Sequence, residues 1–141
     1  MPASRVLLLL AAVATAALPL AARAEAYPDR TIRMIVPDAP GGSPDQLGRL
    51  VAQKLTDVLG QPVFVDNKPG SAGVLATDAG AKAAPDGYTI TMTTTAIYAI
   101  LPYLNKNLPY DPVKDFIPLS RLATASNVLV VNASLPVKSV A

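Results

Sequence analysis

Cysteine and histidine are both missing from the 141 residues. Without cysteine no disulfide can form, so the fold must be held by its apolar core. Without thiolate or imidazole there is no Ser-His or Cys-His couple, no imidazole general base, and no thiolate or imidazole zinc site. Asp, Lys, Tyr and hydroxyl side chains remain, a set that favours a binding protein over an enzyme, and no cofactor or metal is implied. A strong charge of one sign is missing too: 12 Lys and Arg stand against 10 Asp and Glu. No basic cluster and no aromatic–basic interleaving is present, so nucleic acid is not an expected partner.

The N-terminus does carry a signal. Arg5 precedes an apolar run, residues 6–20, that is too short to span a bilayer. Ala22-Arg23-Ala24 and Ala24-Glu25-Ala26 both fit small-x-small cleavage sites. Residues 1–24 are therefore expected to be a secretory signal peptide, cut after Ala24 or Ala26. A cut after Ala24 removes Arg5 and Arg23, which leaves ten basic residues against all ten acidic ones. The basic isoelectric point thus belongs mostly to the leader. An exported chain without disulfides suits the periplasm.

From Ile32 onward the pattern alternates. Residues 32–36 (IRMIV) form an almost unbroken apolar run, as expected of a parallel strand covered on both faces. Pro37-Asp38-Ala39-Pro40-Gly41-Gly42 is a loop. Ser43 followed by Pro44 and Gln46 reads as a capping box that opens a helix over 44–59. Leu47, Leu50, Val51, Leu55, Val58 and Leu59 give it an apolar stripe, and Gly60 fits the left-handed stop. Residues 63–65 read as a second strand, 66–73 as a loop, 74–84 as a helix interrupted by Gly80, and 88–92 as a third strand. A helix opening at 96–101 must end or kink at Pro102. Residues 116–122 and 127–132 are further strand candidates, and 134–141 suggests another helix start. Strand, helix, strand, helix, strand implies two right-handed crossovers and an α/β parallel sheet with helices on both faces, the first strand between the second and third.

That winding brings two loops to the topological switch point, where open α/β sheets bind ligands. One offers Gly41, Gly42, Ser43 and Asp45 at a helix N-terminus; the other offers the hydroxyls of Thr93, Thr94 and Thr95. Backbone N–H groups at the positive end of a helix form an anion site. None of the obvious residues there is a cation, which suits a small carboxylate better than a polyphosphate. The loop lacks the Gly-Lys-Ser/Thr of a P-loop and the third glycine of a dinucleotide fingerprint. Ser43 reads as a cap rather than a nucleophile. Asp45 reads as a first-turn carboxylate that favours the helix dipole, or as a partner for a ligand amino group.

Several landmarks occur in fixed order: Tyr27-Pro28 with Ile32-Arg33-Met34-Ile35-Val36-Pro37, Pro40-Gly41-Gly42-Ser43-Pro44-Asp45, Leu59-Gly60-Gln61-Pro62-Val63, Asp66-Asn67-Lys68-Pro69-Gly70, Ala84-Pro85-Asp86-Gly87-Tyr88-Thr89 and Leu108-Pro109-Tyr110-Asp111-Pro112-Val113-Lys114-Asp115-Phe116. From Tyr27 onward the chain resembles the substrate-binding receptors of tripartite tricarboxylate transporters, the Bug family of periplasmic binding proteins. The resemblance implies a periplasmic-binding-protein-like α/β fold, with a first lobe over 27–104 and the crossover and beginning of a second lobe over 105–141. It implies a small organic carboxylate held at Gly41, Gly42, Ser43, Asp45, Thr93, Thr94, Thr95 and Ala96, and membrane components of a transporter as partners. It also implies a longer chain, so that this one is expected to be truncated and to bind weakly by itself. One departure stands out: Asp38 occupies a position where such receptors usually carry an aromatic residue. Two other readings remain, a binding subunit that presents its solute to a membrane sensor and a small exported serine hydrolase using Ser43.

Overall fold

The computed structural model describes residues 26–126 and 128–136. The expected leader, Asn127 and the last residues of the expected C-terminal helix start, 137–141, lie outside the described residues.

Strand β1 (Ile32–Val36) is the spine. Ile32, Met34, Ile35 and Val36 are all buried, the last two completely. A run that is apolar on both faces can only be satisfied in the middle of a covered sheet. β1 accordingly lies between β2 (Val63–Asn67) and β3 (Thr89–Thr91), both parallel to it. The register runs from Ile32 opposite Val63 to Val36 opposite Asn67, and from Arg33 opposite Thr89 to Ile35 opposite Thr91. Beyond the strands, Lys68 N–H donates to the Val36 carbonyl at 2.9 Å and Met92 N–H to that of Ile35 at 2.8 Å. The expected α/β sheet and strand order are both present.

Helix α1 (Ser43–Leu59) covers the face that carries Met34 and Val36. With Ala52 they form the core cluster, closed by Val51, Leu55, Val63, Val65, Ile90 and Met92. Leu50 and Val58, expected on the apolar stripe, stand in solvent at 60% and 81% exposure. The buried face is instead centred on Gly48 and Ala52, whose small size lets the helix close on the sheet. Leu50 lies two residues from each of them, about 200° around the helix. Gly60 ends the helix with φ +70°, as expected. Thr56 then ties helix to strand: its hydroxyl donates to the Ala52 carbonyl at 2.9 Å and accepts Val63 N–H at 3.0 Å.

Helix α2 (Val74–Ala81) packs on the opposite face, against β3 and β1. It is shorter than the expected 74–84, because Lys82 and Ala83 turn back onto the Asp78 and Gly80 carbonyls. After β3 the chain makes a π-turn (Ala96–Ile100) that runs directly into α3 (Leu101–Leu104). Pro102 was expected to end or kink this helix. It sits in the first turn of α3, where its missing N–H costs nothing, and the wide preceding turn accommodates its ring.

Two strand expectations fail. Residues 116–122 and the described part of 127–132 form no strand. Ile117, Leu119, Val128, Leu129 and Val130 are exposed, with no neighbouring strand to pair with, and β-structure exists only through such pairing. Among the described residues, none after Asn105 belongs to a helix or strand. None of the described helices is long and apolar enough to cross a membrane.

Candidate functional site

The amino ends of β1 and β3 are clasped together, which leaves their carboxyl ends as the open edge. At the clasp Tyr27 donates its hydroxyl to the Gly87 carbonyl at 2.8 Å, its ring meets Tyr88 edge-on, and Arg30 lies over the Tyr88 ring.

Three loops leave the opposite, carboxyl edge. They are the turn from β1 into α1, the Ser71–Gly73 turn from β2 into α2, and residues 92–95 from β3 into the π-turn. They touch at one point. A Cβ on Gly73 would stand 2.3 Å from Ile97 Cδ1 and 3.4 Å from Pro37 Cβ. Gly73 also has φ +87°, which a side chain rarely adopts. The buried Ile97 thus locks the third loop to the other two from beneath. Gly73, Ile97 and the left-handed Ser71 and Ala72 were not singled out in sequence, because nothing local marks a contact across three separate loops.

The first loop is held by Asp45. This carboxylate is 2% exposed, yet every face of it is engaged. Oδ2 accepts Gly41 N–H at 2.8 Å and Arg49 Nε at 3.0 Å, and Oδ1 accepts Asn67 Nδ2 at 2.9 Å. The Arg49 guanidinium, followed by the Gly41 and Asn67 donors, holds the Asp45 carboxyl down at about 2. Asn67 also donates to the Asp38 carbonyl at 3.0 Å, and its own carbonyl accepts from Arg49 at 3.2 Å. Asn67, read from sequence mainly as a turn former, is therefore the brace between β2 and the β1–α1 turn. Its partners lie 18 to 29 residues away, beyond any local pattern.

The expected capping box does not form. The helix cap is Gly42, whose carbonyl accepts Gln46 N–H at 3.0 Å. Ser43 lies inside the first turn, where its hydroxyl cannot reach back to an orphan donor. Asp45 performs the reach-back instead, through Gly41 N–H, while the Gln46 side chain donates to the Gly41 carbonyl at 3.0 Å.

The eight residues expected at the site therefore divide. Gly41 and Ser43 are exposed on the first loop, Gly42 is half-buried, and Asp45 is buried against Gly41. Thr93, Thr94, Thr95 and Ala96 open the helical segment after β3. Thr94 caps that segment, its hydroxyl accepting Ile97 N–H at 3.4 Å and its carbonyl accepting Tyr98 N–H at 2.9 Å. Ser43, Thr93 and Thr95 are exposed, and their hydroxyls have no hydrogen-bond partner among the described residues. β1 and β3 are neighbours, so two helix starts and three free hydroxyls share one edge. The edge is a shelf open to solvent. A hollow of about 340 Å³ bounded by Pro102, Asn105, Lys106 and Tyr110 lies elsewhere. No group of three or more metal-ligating side chains occurs among the described residues.

Residues 47–141 match the tripartite tricarboxylate transporter family receptor. Protein BugT of Bordetella pertussis is 43% identical over 128 residues, which is 90% of this chain and 39% of BugT. Among solved structures, MatC from Rhodopseudomonas palustris, with bound malate, is 38% identical with a TM-score of 0.63, over 65% of this chain and 31% of MatC. The periplasmic binding protein BugD is 39% identical with a TM-score of 0.61, over 64% of this chain and 30% of BugD. The chain thus spans about two fifths of BugT and less than a third of either solved chain.

Proposed function

Because the chain belongs to the tripartite tricarboxylate transporter receptor family, we propose that it contributes the first lobe, and the start of the second, to a periplasmic receptor that captures a small organic carboxylate for the membrane components of a tripartite transporter. The family is one of periplasmic solute-binding receptors, not enzymes. In this reading residues 1–24 are a leader, 27–104 the first lobe, and 105–141 the crossover into the second.

The observation that carries the reading is the shelf at the carboxyl edge of the sheet. Ser43 offers its backbone N–H at the positive end of α1, a 17-residue helix, while the N–H groups of Gly41 and Gly42 are bonded within the loop to Asp45 and to the Ala39 carbonyl and fix its shape. The free hydroxyls of Ser43, Thr93 and Thr95 supply further donors, and Thr94 and Ala96 place the second loop. Hydrogen bonds to an ionised acceptor are the stronger kind, so a carboxylate gains most from such a set. No cation projects from these eight positions, which leaves too little charge for a polyphosphate. Asp45 holds the shape of the turn, because its oxygens are already bonded. The bound malate of MatC, a relative in fold and sequence, supports the same ligand class.

Isothermal calorimetry tests the reading, using the receptor purified as its own gene produces it and a panel of malate, succinate, adipate, citrate and L-aspartate. Saturable heat with at least one member is expected. No heat with any of them counts decisively against carboxylate capture.

A further inference from the structure

We propose that Asp38 sets the ligand class of the shelf, so that the receptor takes an amino-bearing carboxylate in preference to a plain dicarboxylate; this rests on the carboxylate-capture reading above. Asp38 belongs to the loop between β1 and α1. Its Oδ1 accepts Ala39 N–H at 2.9 Å, which turns the carboxylate back over the loop. Its Oδ2 lies 2.1 Å, and its Cγ 2.9 Å, from where a Cβ on Gly42 would stand. The carboxylate therefore fills the space directly beside Gly42, the residue that caps the start of α1.

Among the described residues nothing neutralises the charge on Asp38. Arg49 from α1 is paired with Asp45, and Lys68 from the end of β2 lies 3.8 Å from Asp66, which Arg33 also engages. No ion pair among the described residues reaches Asp38, and Oδ2 has no hydrogen-bond donor among them. Asp45 and Arg49 cancel each other, so the side chains of the first loop present one net negative charge beside the backbone donors. A ligand carboxylate placed there gains from the helix end and loses to Asp38. A ligand that carries an ammonium group next to its carboxylate satisfies both at once. Like charges set against each other are a recognised way of rejecting the wrong partner.

The test is a matched pair of probes, succinate and L-aspartate, which share a skeleton and differ by the amino group. Both are titrated by calorimetry into the receptor purified as its own gene produces it, and into Asp38→Asn. Asparagine keeps the shape and the acceptor for Ala39 N–H but removes the charge. Wild type is expected to bind L-aspartate about tenfold or more tightly than succinate, and the variant to shift that ratio toward succinate by about tenfold or more. Binding of both probes with the same ratio in wild type and variant overturns the role of Asp38 and leaves carboxylate capture standing. Binding of neither probe by either protein, with thermal melts showing both folded, overturns carboxylate capture itself and this proposal with it.

Discussion

Asp45 shows how much one side chain can be asked to do. Removing a carboxylate from water is costly unless its lone pairs and charge are met. Gly41, Arg49 and Asn67 meet them, and in doing so fasten β1, α1 and β2 around one turn. The sequence placed an acidic residue in the first helical turn, which the helix dipole favours, but not under the loop as its keystone. The pH dependence follows from the depressed acidity. An unfolded Asp titrates near 3.8 and the folded one near 2, so the folded state binds the proton less readily. The stabilisation is complete above about pH 4 and is lost as pH falls through about 2. Asp45→Asn should lower the melting temperature at pH 7 by several degrees, and should abolish that part of the acid destabilisation between pH 4 and 2. Thermal melts across that range, wild type against variant, measure both effects; equal melting temperatures at pH 7 would remove Asp45 from the keystone position.

At the level of elements, periodicity and turn chemistry make β1, α1, its Gly60 stop, both crossovers and the strand order readable in the sequence. These features are local, or follow from the handedness of parallel connections. What stayed hidden were long-range packing choices. Leu50 and Val58 look equivalent to Val51 and Leu55 in a stripe, and only the close approach at Gly48 and Ala52 decides which side faces the sheet. Ser43 met the capping pattern, yet the turn placed Gly42 at the cap. Gly80 is the sharpest case. In sequence it is a flaw in an alanine-rich helix, and Ala in its place should add about 1 kcal/mol of helix stability. In the fold a Cβ there would stand 2.1 Å from Thr91 Oγ1 and 3.1 Å from Thr91 Cβ. Thr91 lies on β3, the strand against which α2 packs. Overpacking of this kind costs about 1–3 kcal/mol, so the clash should outweigh the propensity gain. Gly80→Ala is expected to destabilise, and Gly80→Ala with Thr91→Ala to recover most of the loss. Urea titrations of the single and double variants give the sign; a stabilised single variant would show that α2 does not pack this closely.

Over the whole molecule, one three-stranded sheet carries a helix on each face and leaves much apolar surface outside. Phe64 on β2 is 59% exposed, Leu75, Tyr103 and Leu104 lie open, and the apolar side chains from Ile117 to Val131 are exposed wherever they are described. Soluble monomers seldom show contiguous apolar patches beyond a few hundred square ångströms. BugT is longer than this chain by more than half its own length, and in the proposed receptor further chain covers such surface. The same reasoning bears on affinity. Small-ligand sites bury most of the ligand, commonly about 70–90% of its surface, and draw their strength from shedding water around the polar contacts. The shelf touches a ligand from one side only, so water stays on the other and weakens each charged contact. The 141-residue chain alone should therefore bind malate, succinate or L-aspartate only in the millimolar range or weaker, about −4 kcal/mol or less in magnitude. Titration of the ¹⁵N-labelled chain followed by NMR reads affinities that weak, and shifts should concentrate at Gly41, Gly42, Ser43 and Thr93 to Ala96. Micromolar binding by the isolated chain would mean that the shelf is a complete site, and that a second lobe adds something other than enclosure.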